Sequence, residues 1–398
     1  MLRVPNIFIE KFSACFYNLM RKAYLTIKLL NQRGHIIKIT VLGSGHGGFA
    51  MASDLKYSGY DVVLSSVAPH NSKLKMFKIL GNIKIEGMFS KYQEPVVIPT
   101  DFIEENTPKA IESTDIIMIN TPAFAQEVYE ELIGKYGKKG QIVVFPCGGF
   151  SAVNFHNYLK EINRENDFYV CETGSFIYTT KLTGLGSVLI KDMKKSVMFA
   201  CVDDEKTDYA FKVMNEIYPQ FYRAENVWQT SFSNPSSTLH TITTLCNMSR
   251  IEQMGSYKNS FYDITPAIAR IIETVDEERC KIASFFFKNV MSVTEIMCSL
   301  YNIKYDNIYD TIKNISAFKL QYAPNSMKHR YVTEDVPYSL VPISTIGKKL
   351  GIDSPNMDAI IHLASMSNNV DYFSDGRNAD KIGFLPEQAK YFKERAVV

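Results

Sequence analysis

Residues 36–48 read IIKITVLGSGHGG, and this stretch decides the fold of the N-terminal half of the chain. Its first part, residues 36–42, is a short run rich in β-branched residues, which is typical of a strand buried in a parallel sheet. A glycine cluster at 43–48 comes directly after it, and residues 49–57 then read as a helix rich in small side chains. A glycine turn between a strand and a helix indicates the first βα unit of a Rossmann-type domain.

The glycine cluster matches the pattern G-x-G-x-x-G, in which each glycine has its own physical role. Gly43 permits a tight turn, Gly45 lets the backbone approach a pyrophosphate, and Gly48 lets the helix and the strand pack closely. The free N–H groups at the start of the helix attract phosphate. A glycine turn without a ligand is the alternative. We predict that a dinucleotide binds this turn, which consists of Gly43, Ser44, Gly45, His46, Gly47 and Gly48.

The choice of coenzyme depends on the residues after the second strand, which is expected at 61–64. An acidic residue about 20 positions beyond the first glycines usually binds the adenosine ribose of NAD. Ser66 stands near that place, and a serine does not repel a 2′-phosphate as a carboxylate would. His70, Asn71 and Lys73 come next and could face such a phosphate, unless they are ordinary loop residues. We therefore expect NADP in preference to NAD.

Strands continue to alternate with helical stretches after this point, which predicts a doubly wound α/β domain. Pro122 ends one of these strands, and ligands of such sheets bind beyond the carboxyl ends of strands. We therefore place Pro122 beneath the nicotinamide ribose, with an ordinary proline turn as the alternative. The further strands are expected at 115–120, 141–145, 168–171, 187–190 and 196–200, with a helix at 125–136.

After about residue 204 the strand patterns fade, and helical spacing takes over. The clearest helix opens with Thr265 as its N-cap and Pro266 at its first position. The expected fold class is α/β, with an N-terminal Rossmann-type doubly wound sheet followed by a mainly α-helical domain. The expected boundaries are an N-terminal extension at 1–35, a dinucleotide-binding domain at 36–204, and a helical substrate and catalytic domain at 205–398.

The composition excludes several classes of protein. The chain has 398 residues, 46% of them hydrophobic, and a formal net charge of +2. A charge so near zero argues against a nucleic acid or an anionic membrane as partner. The 7 cysteines include no Cys-x-x-Cys pair, so we expect no disulfide framework, no metal site and a cytoplasmic location. The apolar residues of 1–35 are interrupted by charges, so this extension reads neither as a membrane span nor as a secretory signal.

Four motifs of the second half resemble the octopine/nopaline (opine) dehydrogenase family. The likeness extends over about residues 36–365, and the stretch at 330–335 is its most specific part. Ser65 and Ser66 depart from the family's NAD-using members, which leaves the coenzyme open. The motifs are NPSSTLH at 234–240, FYDITP at 261–266, DEER at 276–279 and RYVTEDVP at 330–337.

The resemblance implies a reductive condensation of a 2-oxo acid, such as pyruvate, with the amine of an amino acid. It implies that His240 is the general acid/base and that Asp335 is its orienting partner. It also implies that Arg330 clamps a substrate carboxylate and that Asn234 is a second substrate-binding residue. The partners would then be small molecules, an amino acid and a 2-oxo acid, with a homodimer as the candidate assembly.

These residues suit those roles on chemical grounds as well. Histidine titrates near neutral pH, and a carboxylate on its other ring nitrogen fixes the tautomer. Arginine forms two parallel hydrogen bonds to a carboxylate. The structural alternatives are a partly buried His240, an Asp335 that caps a turn before Pro337, and an Arg330 in a structural ion pair.

Two other functions remain open at this point. One is a ketopantoate-reductase-like enzyme or another 2-hydroxyacid dehydrogenase. Ketopantoate reductases usually rely on a catalytic lysine of the helical domain, for which Lys281 and Lys288 are available on the long helix that opens at Thr265. A non-catalytic sensor would bind the dinucleotide and perform no chemistry. The presence of an acid/base, an orienting carboxylate and a carboxylate clamp favours the opine-type enzyme over the sensor.

Overall fold

The computed structural model describes residues 37–87, 90–92, 94–184, 186–257 and 263–389. The expected extension at 1–35 lies outside these residues, as do Phe261 and Tyr262 of the second motif. Backbone contacts divide the chain into two compact units, which we call unit 1 (residues up to 118, and 180–190) and unit 2 (119–179, and from 191 on). This division by contacts does not coincide with residue 204, which stays a prediction for the end of the dinucleotide-binding domain.

The described strands agree closely with the predicted ones in the first half of the chain. Each predicted strand is present, and four that we did not predict are added, namely β3, β4, β8 and β11. The strands are β1 (Lys38–Leu42), β2 (Asp61–Ser65), β3 (Asn82–Gly87), β4 (Val96–Pro99), β5 (Ile116–Ile119), β6 (Ile142–Phe145), β7 (Tyr169–Thr173), β8 (Tyr178–Leu182), β9 (Ser187–Met193), β10 (Val197–Cys201) and β11 (Phe221–Arg223).

The helices are more numerous in the second half. They are α1 (His46–Tyr57), α2 (Ser72–Leu80), α3 (Thr107–Glu112), α4 (Glu127–Tyr136), α5 (Ser151–Glu161), α6 (Asp204–Ile217), α7 (Val227–Phe232), α8 (Ser236–Cys246), α9 (Met248–Met254), α10 (Pro266–Ala283), α11 (Val293–Tyr301), α12 (Ile308–Asn314), α13 (Arg330–Thr333), α14 (Val341–Lys349), α15 (Pro355–Asn368) and α16 (Tyr372–Asp375).

Unit 1 is built on parallel strands in the order β5-β1-β2. β1 and β2 pair in register from Lys38 opposite Asp61 to Leu42 opposite Ser65. The β-branched side chains of β1 are fully buried, which is what a strand covered on both faces requires. Because β1 and β2 run in the same direction, both end at the same edge, where the glycine turn begins.

A smaller sheet of unit 1 has the strand order β4-β3-β9-β8. β3 pairs antiparallel with β4 and parallel with β9. Ile83 and Ile85 of β3 are fully buried, whereas the polar residues between and beside them are not. This alternation is the period-2 pattern of a sheet with one covered face.

Unit 2 contains strands in the order β11-β10-β7-β6. β6 and β7 are parallel, from Ile142 opposite Tyr169 to Phe145 opposite Glu172. β10 pairs antiparallel with β7 and parallel with β11. The residues directly after β6 and β7 therefore meet at one edge, and residues 146–148 after β6 line a cavity there.

α10 forms as predicted from its first residues. Thr265 is the N-cap, its hydroxyl accepts the N–H of Ile268 at 3.3 Å, and Pro266 stands at the first helical position. Asp276 and Arg279 of this helix form a 2.6 Å ion pair whose side chains are only 4% and 2% exposed. Arg279 also donates to the carbonyl of Met291 at 2.6 Å, so the pair fixes the chain between α10 and α11.

The expected fold class is confirmed. Strands alternate with helices from β1 to β7, with β1 parallel to β2 and β6 parallel to β7. From Val227 to residue 389 the described residues form helices joined by loops. Among the described residues, none forms a helix long and apolar enough to span a lipid bilayer.

Candidate functional site

The glycine turn of unit 1 has the conformation that the motif requires. Gly43 has φ 112°, which favours glycine, and its N–H donates to the carbonyl of Ser65 at 2.8 Å. A Cβ added to Gly48 would lie 1.8 Å from the carbonyl oxygen of Gly43, so this position excludes any side chain. Close approach between the start of α1 and the end of β1 therefore depends on Gly48.

Gly45 differs from Gly48 because a Cβ there would meet nothing within 4 Å. The open space lies at the N-terminus of α1, where the N-cap residue Gly45 supplies no side chain to accept the first N–H groups. His46 and Gly47 are in the first turn, with His46 exposed. A helix N-terminus beside open space fits a pyrophosphate, so these residues are chemically suited to a dinucleotide.

The segment after β2 packs back onto the glycine turn. The carbonyl of His70 accepts the hydroxyl of Ser44 at 2.6 Å and the hydroxyl of Ser66 at 3.4 Å. Ser66 is only 1% exposed, whereas Lys73, in the first turn of α2, is exposed. Lys73 is therefore an accessible cation at the start of α2, and Ser66 places no negative charge in this segment.

His240 and Asp335, both in unit 2, are brought together as the sequence predicts. Nδ1 of His240 lies 2.8 Å from Oδ2 of Asp335, with side-chain exposures of 18% and 10%. His240 projects from α8, and Asp335 directly precedes a π-helical turn at Val336–Leu340, in which Pro337 supplies no N–H. Such turns often occur at functional sites.

The ring of Tyr331 stacks on the imidazole, with ring centroids 3.9 Å apart. The carbonyl of Tyr331 also accepts the hydroxyl of Thr241 at 3.1 Å, which ties α8 to α13. Burial lowers the pKa of His240 below its ordinary value of 6.5, whereas the carboxylate of Asp335 opposes this shift. The imidazole is therefore neutral near pH 7 and able to accept a proton.

Arg330 pairs with Glu334, whose Oε2 lies 2.9 Å from Nη1 of the guanidinium. The other carboxylate oxygen of Glu334 accepts the N–H of Ala123 at 3.0 Å. The Arg330 side chain is 55% exposed, and among the contacts of the described residues only one of its N–H donors is used. The guanidinium is therefore oriented from one side and keeps donors for a carboxylate ligand.

These residues surround a cavity of about 500 Å³, which we call the site cavity. It is bounded by the end of β5, the turn after β6, the start of α8 and the segment around α13. Pro122 is not in its wall, although both of its neighbours in sequence are. The wall consists of Ile119, Asn120, Thr121, Ala123, Gln126, Pro146, Cys147, Gly148, Ser151, Asn234, Ser236, Arg330, Glu334, Asp335, Tyr338 and Ser339.

Asn234 is buried at the wall of the site cavity. Its Oδ1 accepts the N–H of Ser236 at 3.1 Å, and its Nδ2 faces the sulfur of Cys147 at 3.8 Å. Desolvation raises the pKa of Cys147 to about 11, so this thiol stays protonated at neutral pH. Cys147 therefore lines the cavity without being an activated nucleophile.

Sequence reasoning missed two cations near the site cavity. Arg377 is buried and donates to Ser151 at 3.0 Å and to Gln126 at 3.3 Å, both of which line the cavity. Burial lowers the pKa of Lys194, which donates to Ser175, to about 8. Neither cation belongs to a recognisable motif, so no local pattern indicates them. For Glu334 a sequence signal does exist, because it lies four residues after Arg330, the spacing of an ion pair on a helix.

The comparisons with known proteins agree with the motifs. The family model described as NAD/NADP octopine/nopaline dehydrogenase, alpha-helical domain, matches residues 223–368. The chain is 29% identical to an opine dehydrogenase of Arthrobacter sp. (strain 1C) over 347 residues, which are 86% of this chain and 94% of that protein.

Solved structures share the fold. An octopine dehydrogenase complex with NADH and pyruvate superposes with a TM-score of 0.71 at 16% identity, over 89% of this chain and 98% of that one. A yersinopine dehydrogenase with bound NADP+ gives a TM-score of 0.63 at 14% identity, over 91% and 99% of the two chains. Relatives of this fold thus bind either nicotinamide dinucleotide.

Proposed function

Since the chain belongs to the opine dehydrogenase family, whose members are NAD(P)-dependent oxidoreductases acting on CH–NH bonds, we propose that it joins a 2-oxo acid to the amine of an amino acid. The observation that carries this proposal is the His240–Asp335 pair beside a cavity that also contains Arg330. The product would be a secondary amine with two carboxylates.

His240 accepts and returns the proton that is transferred during the condensation. An amino acid is an ammonium near neutral pH, and its nitrogen must lose a proton before it attacks the carbonyl carbon of the oxo acid. The neutral imidazole accepts this proton at Nε2, because Nδ1 faces Asp335. The imidazolium then returns the proton to the hydroxyl group, which leaves as water. Asp335 stabilises the imidazolium between the two transfers.

Arg330 binds a substrate carboxylate through the donors that Glu334 leaves free. Asn234, whose amide lines the same cavity, is a second polar contact for the substrate. Gly43 to Gly48 would hold the pyrophosphate of the dinucleotide. When bound, the reduced nicotinamide supplies the hydride that turns the C=N bond into an amine.

Two observations argue against the alternative of a ketopantoate-reductase-like enzyme. Lys281 is an exposed residue of α10, and Lys288 lies beyond the end of that helix at Ala283, contrary to expectation. Neither lysine is in the wall of the site cavity. A ketopantoate-reductase-like mechanism would need such a lysine at the reacting atoms, so the opine-type reaction fits the cavity better.

The test is a matrix of amino acids against 2-oxo acids, with oxidation of NADH and of NADPH followed by absorbance. We expect turnover only when an amino acid and an oxo acid are both present. Turnover by an oxo acid alone would support the 2-hydroxyacid dehydrogenase. Tight nucleotide binding with no turnover for any pair would support the non-catalytic sensor.

NADP is the coenzyme that we favour. The basis is the absence of a carboxylate at Ser66 and the exposed cation Lys73 in the first turn of α2. Lys73→Ala should weaken NADPH binding and leave NADH binding unchanged, because only NADPH carries the 2′-phosphate. The control is Lys75→Ala, which removes another exposed lysine of the same helix. Equal effects of Lys73→Ala on both nucleotides would contradict the preference.

A further inference from the structure

A second cavity of unit 2 borders His240. It comprises about 260 Å³ of space that is partly open to solvent, and we call it the side-chain pocket. Its wall consists of His240, Thr243, Thr244, Asn247, Ile251, Tyr257, Ala323, Pro324 and Tyr331.

His240 joins the two cavities. Its ring is in the wall of the side-chain pocket, and its hydrogen-bond partner Asp335 is in the wall of the site cavity. An amino acid whose nitrogen meets the imidazole can therefore hold its carboxylate in the site cavity. Its side chain then has the side-chain pocket available.

The chemistry of the pocket wall is neutral. Apart from His240, the described residues of the wall include no group that is charged at neutral pH. Ile251 and Ala323 are buried apolar residues at 2% and 4% exposure. The hydroxyl of Thr243 is buried without a hydrogen-bond partner among the described residues, so one polar atom of a ligand could be accommodated.

Two charges beside Tyr257 of this pocket neutralise each other. Arg250 forms a 2.6 Å ion pair with Asp263, and its guanidinium lies over the ring of Tyr257, 4.3 Å from the centroid. Burial raises the pKa of Tyr257 to about 12, so its hydroxyl is also neutral. A guanidinium or ammonium group in the pocket would find no carboxylate among the wall residues that the structure describes, and burying an unpaired charge is costly.

We propose that the side-chain pocket selects an amine donor with an uncharged, mainly apolar side chain, and that Ile251 is a specificity-determining residue. This inference rests on the proposed function, since it assumes that an amino acid reacts at His240. It adds a substrate class that the reaction type leaves open. Leucine, methionine and phenylalanine are donors of this class, whereas arginine, lysine, aspartate and glutamate are not.

The experiment measures kcat/KM for each of these donors, with pyruvate as the fixed oxo acid and NADPH in excess. We expect kcat/KM for the neutral donors to exceed that for the charged donors by roughly tenfold or more, since apolar pockets discriminate between substrates to at least this extent. Ile251→Glu should reverse the order of kcat/KM so that arginine is preferred, because the substitution adds a carboxylate to the wall. Ile251→Ala should raise kcat/KM for phenylalanine relative to that for leucine, because the substitution enlarges the pocket.

The matched control is Met254→Glu, which adds the same charge to the same helix, α9, at an exposed position outside the pocket. It should leave the donor order unchanged. If Ile251→Glu does not fold, Ile251→Ala still tests the pocket. Turnover that favours arginine or lysine in the unmodified protein would overturn this inference and leave the proposed function standing. No turnover with any amino acid, tried with each oxo acid, would overturn both.

Discussion

At the scale of single residues, the site depends on the environment of one imidazole. Burial and the positive charge of Arg330 disfavour the charged form of His240, and Asp335 favours it. The balance leaves the pKa below the ordinary value of histidine. A base that is neutral at physiological pH, with a carboxylate ready to stabilise its protonated form, suits the removal of a proton from an ammonium.

Asp335→Asn should change the pH dependence of condensation. In the unmodified protein, activity is lost as the pH falls through the lowered pKa of His240, because the protonated imidazole cannot accept a proton. The substitution removes the carboxylate that raises this pKa, so the acidic limb should move to still lower pH. The plateau rate should fall by about 10²–10⁴, the usual contribution of an acid/base group.

The measurement is kcat against pH for both proteins, with nucleotide affinity as the control. Nucleotide affinity should not change, since Asp335 contacts the imidazole and the proposed dinucleotide site is elsewhere in the chain. An acidic limb that stays in place, or moves to higher pH, would show that Asp335 does not act through His240.

Arg330→Lys tests the carboxylate clamp. Lysine keeps the charge but loses the planar pair of donors, so the KM for the oxo acid should rise by roughly tenfold. Steady-state kinetics with the amino acid saturating measures this effect. Lys328→Ala, which removes an exposed cation two residues away, is the control and should leave the KM unchanged. An unaltered KM in Arg330→Lys would mean that Arg330 serves only its ion pair with Glu334.

At the scale of elements, Gly48 and Gly45 of the glycine turn are required for different reasons. Gly48→Ala places a methyl group 1.8 Å from the carbonyl oxygen of Gly43, so it should destabilise unit 1 by about 1–3 kcal/mol or more. Gly45→Ala meets no atom within 4 Å and has φ −80°, so it should preserve thermal stability. It should nevertheless weaken nucleotide binding, because the methyl group enters the space proposed for the pyrophosphate.

Thermal unfolding and nucleotide titration of the two variants check this pair of expectations. If Gly45→Ala bound both nucleotides as tightly as the unmodified protein, the pyrophosphate would not lie against this residue.

The buried ion pair between Asp276 and Arg279 of α10 stabilises the folded protein. Arg279→Ala would leave the carboxylate of Asp276 buried without its cation, which should cost about 3–5 kcal/mol of the free energy of unfolding. Arg270→Ala, at an exposed position of the same helix, should change it by less than about 0.5 kcal/mol. Chemical denaturation measures both. Equal effects of the two substitutions would contradict a buried pair.

Much of the element pattern could be predicted from sequence, because periodicity and end signals are local. The cap at Thr265 and the runs of β1, β5 and β6 are of this kind. β3 is absent from the prediction although its NIKIEG alternates with period 2, so the signal was present. β11 has three residues, too few for any period to be recognised. The side-chain pocket could not be predicted, since its wall joins residues from α8, α9 and the segment at 323–331.

At the scale of the whole molecule, the residues that we propose for cofactor binding and for chemistry belong to different units. The glycine turn belongs to unit 1, and the chemistry of His240, Asp335 and Arg330 belongs to unit 2. The motif set indicated the residues proposed for the chemistry, whereas no sequence pattern indicates the nearby cations Arg377 and Lys194. The homodimer expected from sequence stays a prediction, which light scattering of the purified protein can check.

The most direct measurement of the central claim is mass spectrometry of the product formed from pyruvate, a neutral amino acid such as leucine, and NADPH deuterated at the transferable position of the nicotinamide. We predict one compound whose mass is the sum of both acids, minus water, plus one hydrogen and one deuterium. The deuterium should lie on the carbon that was the carbonyl of pyruvate. Deuterated lactate as the product, with the amino acid unconsumed, would contradict the account.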